Sequence, residues 1–253
     1  DRLHEKALES KATVIWDVGI APGLSNMLRA EAQAKLGLFK NAEIRVGGNP
    51  GQPDDDWSYM APFSPIDVIA EYTRPARVIR NSTVTTLPAL DERHMIDVGG
   101  KGEMEAFLSD GLRSLLFTMK AQDMSEYTVR WPGHIQRYID ERDTGTLDVE
   151  KLLDSWSLDK SRGEFTWMEV KAENEDHRHI WTVMDKGSNG DSSMARTTGL
   201  VTLATVLTMC DDPQILSYGV YSPELLPSAF LDRSLSLMVQ SGVSIEHRIE
   251  RAN

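Results

Sequence analysis

The stretch Ala12-Thr13-Val14-Ile15-Trp16-Asp17-Val18-Gly19-Ile20-Ala21-Pro22-Gly23-Leu24-Ser25-Asn26 decides the fold. Its first five residues are apolar or β-branched, which favours an extended strand. The apolar character is continuous rather than alternating, and this predicts a buried parallel strand covered on both faces. Asp17-Val18-Gly19 ends that strand, and Leu24–Leu36 follows with helical spacing. In a doubly wound α/β domain ligands lie outside the carboxyl ends of the strands, where residues 17–23 fall. Pro22 suits a first helical turn, and the two glycines allow close approach of backbone N–H groups to a ligand. A tight connection in which Ser25 or Asn26 caps the helix explains the same residues.

Upstream, residues 1–10 read as a helix whose Leu3, Ala7 and Leu8 form an apolar stripe in need of a surface. The first residue is Asp rather than Met, so the expectation is a chain entered in mid-fold, residues 1–38 being the trailing part of a parallel sheet. Downstream the pattern changes. Residues 43–46 alternate like a half-buried strand, and Gly47 to Gly51 with the acidic run Asp54-Asp55-Asp56 predict a long loop. Further strands are predicted at 77–80, 83–87, 95–98, 126–131, 164–171 and 180–184. Helices are predicted at 65–71, 112–120, 134–142, 149–157, 193–209 and 227–241, the last ended by Gly242. This interleaving predicts a mixed α/β domain over 39–210.

Of 253 residues, 40% are hydrophobic and 26% charged, too apolar a balance for a disordered chain. One cysteine, Cys210, excludes a disulfide-built scaffold and suits a reducing, cytoplasmic setting. The 27 Lys and Arg against 39 Asp and Glu give a net charge of −12, which argues against nucleic acid or anionic lipid as partner. No stretch approaches a membrane span, and the first residues, Asp1 to Lys6, lack the basic-then-apolar order of a signal peptide. The dinucleotide fingerprint Gly-x-Gly-x-x-Gly occurs nowhere, so the main phosphate-gripping element of such a site is not among these residues.

Asp17-Val18-Gly19-Ile20-Ala21-Pro22-Gly23-Leu24-Ser25-Asn26 resembles the saccharopine dehydrogenase family, and its lysine 6-dehydrogenase branch most. Phe63-Ser64-Pro65, Glu71-Tyr72-Thr73-Arg74-Pro75-Ala76-Arg77 and Leu87-Pro88-Ala89-Leu90 agree with it in order. So do Glu105-Ala106-Phe107-Leu108-Ser109-Asp110-Gly111-Leu112-Arg113, Thr128-Val129-Arg130-Trp131-Pro132-Gly133-His134 and Met194-Ala195-Arg196-Thr197-Thr198-Gly199. The resemblance implies a Rossmann NAD(P)-binding domain, of which 1–38 is a C-terminal remnant, joined to a mixed α/β substrate and dimerisation domain, with 211–253 as a C-terminal segment returning to the first part. It implies NAD or NADP as cofactor, an amino acid substrate oxidised at its amine carbon, and a homodimer or higher homo-oligomer. The pattern departs at Val18, where the branch usually has Cys, and at Val129-Arg130-Trp131, where it usually has Leu-Arg-Tyr. Ala21 stands where the saccharopine reductase branch has Asp, and Ser25-Asn26 where it has Asp-His. Reductive coupling of the saccharopine or carboxynorspermidine type is the alternative chemistry, and a noncatalytic dimerisation module the alternative class.

Oxidation of an amine needs a hydride acceptor, a route for the amine proton and fixed charges that hold the substrate carboxylate. Asp17, at a strand's carboxyl end, is a candidate for the proton route, or a residue bonding its own turn. Arg130 ends a strand before a rigid turn, and guanidinium forks hold carboxylates in two-point geometry; the resemblance puts it on the substrate carboxylate, against a plain ion pair. His134 could relay a proton or simply bond the neighbouring loop. Gly133, Asp110, Arg113, Arg196 and Thr197 join Arg130 as substrate-binding candidates by the same resemblance. Asp110 also reads as a helix N-cap, Arg113 as a partner of Glu103 or Glu105, and Ser193 as a plain cap beside Arg196. Gly19, Pro22, Gly23, Leu24 and Asn26 are the cofactor-binding candidates. His177 and His179 alternate on one strand without a defined third ligand, so no metal site is expected.

Overall fold

A computed structural model of the protein describes residues 2–188 and 190–252. Asp1, the first residue of the expected opening helix, lies outside the described residues. The order is α1 (Arg2–Glu9), β1 (Thr13–Ile15), α2 (Leu24–Leu36), β2 (Phe39–Pro50), α3 (Pro65–Thr73), β3 (Ala76–Arg80), β4 (Thr83–Leu87), β5 (His94–Val98) and β6 (Gly102–Leu108). There follow α4 (Leu115–Thr118), β7 (Ala121–Arg130), α5 (His134–Asp143), α6 (Val149–Ser155), β8 (Glu164–Glu173), β9 (His177–Asp185), α7 (Ser193–Asp211), β10 (Gly219–Tyr221), α8 (Ser228–Gln240) and β11 (Ser244–Arg251). Among the described residues no helix is long and apolar enough to cross a membrane.

The expected mixed α/β fold is present. β1 and β10 pair in parallel as a small sheet, and a nine-stranded sheet runs in the order β11-β9-β8-β2-β7-β3-β4, with β6 joining β5 to β7. Within the large sheet β2 and β7 are parallel and the other pairs antiparallel. One face carries Ala42, Ile44, Met168 and Val170 against Leu24, Leu28, Val201 and Phe230 of α2, α7 and α8. The other face buries Tyr127, Val129, Trp131, Phe165 and Trp167. A third, aromatic cluster of Trp57, Tyr59, Tyr72, Tyr138 and Trp156 packs between α3, α5 and α6.

Several expectations change. The first strand is short and only half covered: Val14 is 44% and Trp16 36% exposed, because β10 is its one partner. Gly47 to Pro50 are strand, not loop, since β8 pairs with β2 through Gly47↔Trp167, Gly48↔Thr166, Asn49↔Phe165 and Pro50↔Glu164. The predicted helix 112–120 shrinks to α4, as Met119 turns extended and Ala121 enters β7 opposite Phe39. β11 escapes the burial pattern: its side chains are mostly exposed, and eight residues of pairing with β9 define it instead. Gly242 ends α8 as expected, at φ 85°, with its N–H donating to Val239 O and Val243 N–H to Met238 O. His179 meets His247 at 3.1 Å, and Trp181 stacks on the His247 ring.

Candidate functional site

The alternation of β7 sends Tyr127 and Val129 into one core and leaves Glu126, Thr128 and Arg130 on the opposite face. Beside them on β2 stand Gly47 and Gly48. A Cβ on Gly47 would lie 2.3 Å from Val129 O, and one on Gly48 2.7 Å from Pro62 Cγ, so only glycine fits. Toward their carboxyl ends the parallel strands thus open into a cavity of about 480 Å³. Residues 17–22 after β1, Glu71 of α3 and Arg74 just after it, residues 109–111 with Arg113, and Met194 and Thr198 of α7 also line it.

Arg130 is 2% exposed yet borders this cavity. Its Nε donates to the Tyr72 hydroxyl at 2.9 Å and its Nη1 to Val129 O at 3.0 Å, while its guanidinium lies 4.5 Å above the Tyr59 ring. The Tyr72 hydroxyl is 3.0 Å from His134 Nε2, and His134 Nδ1 is 3.0 Å from Trp57 O. A carbonyl only accepts, so Nδ1 carries the hydrogen and Nε2 accepts from Tyr72. The chain Arg130 → Tyr72 → His134 → Trp57 O is therefore directional and fixes the guanidinium. Burial, with Arg130 close by, pushes the His134 pKa down to about 3. Glu71 Oε2 lies 3.8 Å from Arg130 Nη2, too far for a hydrogen bond, and burial raises its pKa against the pull of Arg130 and Arg74.

At the other end of the β7 face, Glu126 is 5% exposed and its Oε2 has no hydrogen-bond partner. Ser109 Oγ, also buried and on the cavity wall, has none either, and Ser109 N donates to Glu126 O at 3.1 Å. Burial pushes the Glu126 pKa up to about 8, with Glu71 and Asp110 adding and Arg29 and Arg113 opposing. Arg29 of α2 lies fully buried, its Nη1 on Lys171 O, and burial lowers its pKa to about 9.

The structure brings Asp17, Gly19, Pro22, Asp110, Arg113 and Arg130 to one cavity. Their partners differ from expectation. Asp17, at φ 55°, has both oxygens bound by Arg113, at 2.8 and 2.9 Å; Arg113 pairs with it rather than with Glu103 or Glu105. Asp110 is no N-cap: it accepts from Arg77 N, Nε and Nη2, with Arg74 Nε at 3.4 Å. The α4 N-cap position belongs to Ser114, since residues 112–114 turn before the helix begins.

The other candidates stand apart from the cavity. His134 is enclosed by aromatic rings, both its ring nitrogens are engaged by Tyr72 and Trp57 O, and burial keeps it neutral at pH 7. Gly133 holds a left-handed turn before α5. Arg196 is tied to Asp185 at 2.9 Å and to Ser241 O at 2.8 Å, and Thr197 Oγ1 donates to Ser193 O within its own helix. Ser192, not Ser193, caps α7, because Ser193 is held by Glu164. Pro22 precedes the α2 N-cap, Gly23, whose Cβ would fall 2.0 Å from Gly19 O. Gly23 N donates to Asn26 Oδ1, Asn26 Nδ2 bonds Glu224 and Ser114, and Leu24 is fully buried. Gly23, Leu24 and Asn26 therefore form the interior of the turn. Gly19, Ile20, Ala21 and Pro22 line the cavity with small or apolar groups. The Gly23, Leu24 and Ser25 N–H groups of this turn are already bonded, to Asn26 Oδ1, Gly19 O and Ile20 O, and so are not free for a phosphate.

Glu71, Ser109, Glu126 and Thr128 were missed as site residues. The signal for two of them lay in the strand period, which places 126, 128 and 130 on one face.

Fold and cavity together define an α/β protein with a charged pocket at the carboxyl ends of two parallel strands. The chain belongs to the saccharopine dehydrogenase C-terminal domain family, whose model matches residues 19–243. A solved structure, apo saccharopine dehydrogenase (L-Glu forming) from Saccharomyces cerevisiae, is similar over 98% of this chain and 76% of its own, with a TM-score of 0.74. At 14% identity that likeness concerns the fold.

Proposed function

We propose that the chain holds the amino acid substrate of an NAD(P)-dependent oxidoreductase that oxidises an amine carbon, in the manner of a lysine 6-dehydrogenase. Membership of the saccharopine dehydrogenase family supports an amino acid oxidoreductase in general. The observation that carries the reading is Arg130, buried, immobilised from behind and facing the cavity. Two of its five donors serve Tyr72 and Val129 O; three Nη hydrogens remain, and donors in that planar fork suit a carboxylate. The cofactor, bound along residues 19–22, would supply the hydride acceptor. The neighbouring acids Asp17 and Asp110 are neutralised by Arg113 and Arg77, so they do not repel a substrate carboxylate as free charges would.

Calorimetric titration with lysine and with cadaverine, which lacks the carboxylate, tests this. The wild type binds lysine more tightly, and Arg130→Ala loses at least about 30-fold of lysine affinity, the lower bound for truncating a buried charged partner. Equal lysine binding by the two proteins would remove Arg130 from the carboxylate role.

A further inference from the structure

Buried polar groups in folded proteins are nearly always partnered, and an orphan on a residue of a cavity wall calls for an explanation, of which the polar group of a ligand is one. Two such atoms, Glu126 Oε2 and Ser109 Oγ, belong to residues joined by a backbone hydrogen bond on the same wall of this cavity. Space for the carboxyl is secured by Gly111: a Cβ there would lie 1.6 Å from Glu126 Oε1. A glycine stands where any side chain would displace Glu126. Arg130 stands four residues further along the same face of β7, roughly 13 Å away between Cα atoms at the rise of a strand. One end of the pocket is thus cationic, and the other carries an unpartnered carboxyl.

We propose that Glu126 and Ser109 form a subsite for the distal ammonium group of an amino acid whose carboxylate Arg130 holds, Glu126 releasing its proton to solvent as the ammonium enters. This rests on the reading of Arg130 above. The exchange balances: a neutral carboxyl and an ammonium become a carboxylate–ammonium pair and one free proton, with no change in total charge. An α-ammonium sits beside its own carboxylate and cannot serve both ends, whereas an amine several methylenes away can. The charged groups around Glu126 are Glu71 from α3, Asp110 and Arg113 from the connection before α4, and Arg29 from α2. Burial and the two acids keep the free site protonated at neutral pH, and the entering ammonium supplies the missing counter-charge.

The test is calorimetry on the full chain with lysine, 6-aminohexanoate and norleucine, in two buffers of different ionisation enthalpy. Lysine and 6-aminohexanoate release about one proton at pH 7, and their affinity rises up to tenfold per pH unit from 6 to 8 and then levels. Norleucine, without a distal amine, releases none. Glu126→Gln abolishes the release and the pH slope and weakens lysine at least tenfold; Ser109→Ala weakens it less and keeps the release. Circular dichroism and urea midpoints of both variants confirm folding. An unaltered proton release in folded Glu126→Gln, or the same release with norleucine, overturns the subsite while leaving Arg130 in place. No binding of any of the three ligands by the wild type overturns both readings.

Discussion

Arg130 and Glu126 stand on the same face of one strand and border the same cavity, but the protein has finished only one of them. Behind Arg130 runs a complete relay through Tyr72 and His134 to Trp57 O, wrapped in aromatic rings. Beside Glu126 there are two bare oxygens and a glycine. A buried charge whose partners are supplied by the fold is held ready, at the fold's expense. A buried acid whose partner is missing stays neutral until something brings the opposite charge. The two ends therefore answer differently to mutation and to pH.

The largest effect is expected at the finished end. Trp156 is fully buried, with its ring 5.2 Å from those of His134 and Tyr59 and 5.8 Å from that of Tyr72. Trp156→Ala should cost about 3–5 kcal/mol by urea unfolding, the usual loss for a large aromatic in a core. A small loss would mean that the cluster tolerates a void and does not hold Arg130. Tyr72→Phe removes a single hydroxyl and leaves both Arg130 Nε and His134 Nε2 without partners, for about 1–3 kcal/mol.

At the unfinished end the expected response is to pH. The folded-state pKa of Glu126 is raised from 4.5 to about 8, so the unfolded chain ionises first. Stability attributable to neutral Glu126 is complete below about 4.5 and falls as pH rises toward 8, by up to about 1.4 kcal/mol per unit. Glu126→Gln should thus gain stability over the wild type as pH rises from 5 to 8; urea midpoints at several pH values read this directly, and parallel curves would refute it. The smallest effect belongs to the cavity rim. Arg113 is partly exposed, and Arg113→Ala should change stability by about 0.2–1 kcal/mol, as for other exposed pairs, in a thermal melt at low salt.

Much of this was legible beforehand. The 13-residue helix Leu24–Leu36 has the bounds its apolar spacing predicts, and the turn before it lies at the cavity. Arg130 was legible because it ends a strand before a rigid turn. The loop expected at 47–50 failed because glycine and proline signal turns locally, whereas here close packing against Val129 and Pro62 demands the glycines within a strand. That His134 sits behind the cavity rather than on its wall was not legible, because nothing in its neighbours in sequence shows that aromatic residues from 57 to 156 will enclose it.

By itself, then, the sequence determined which residues are helical or extended over most of the chain, and which side chains of a strand share a face. Local sterics and the two-residue strand period suffice for that. Only the tertiary structure decided which charges meet: Asp17 with Arg113, Asp110 with Arg77, and Glu126 with its Oε2 unpartnered among the described residues. Those pairings depend on the order of strands in the sheet and on the connections that bring residues 96 positions apart into contact. The protonation of a buried acid follows from that surrounding set of charges rather than from its neighbours along the chain.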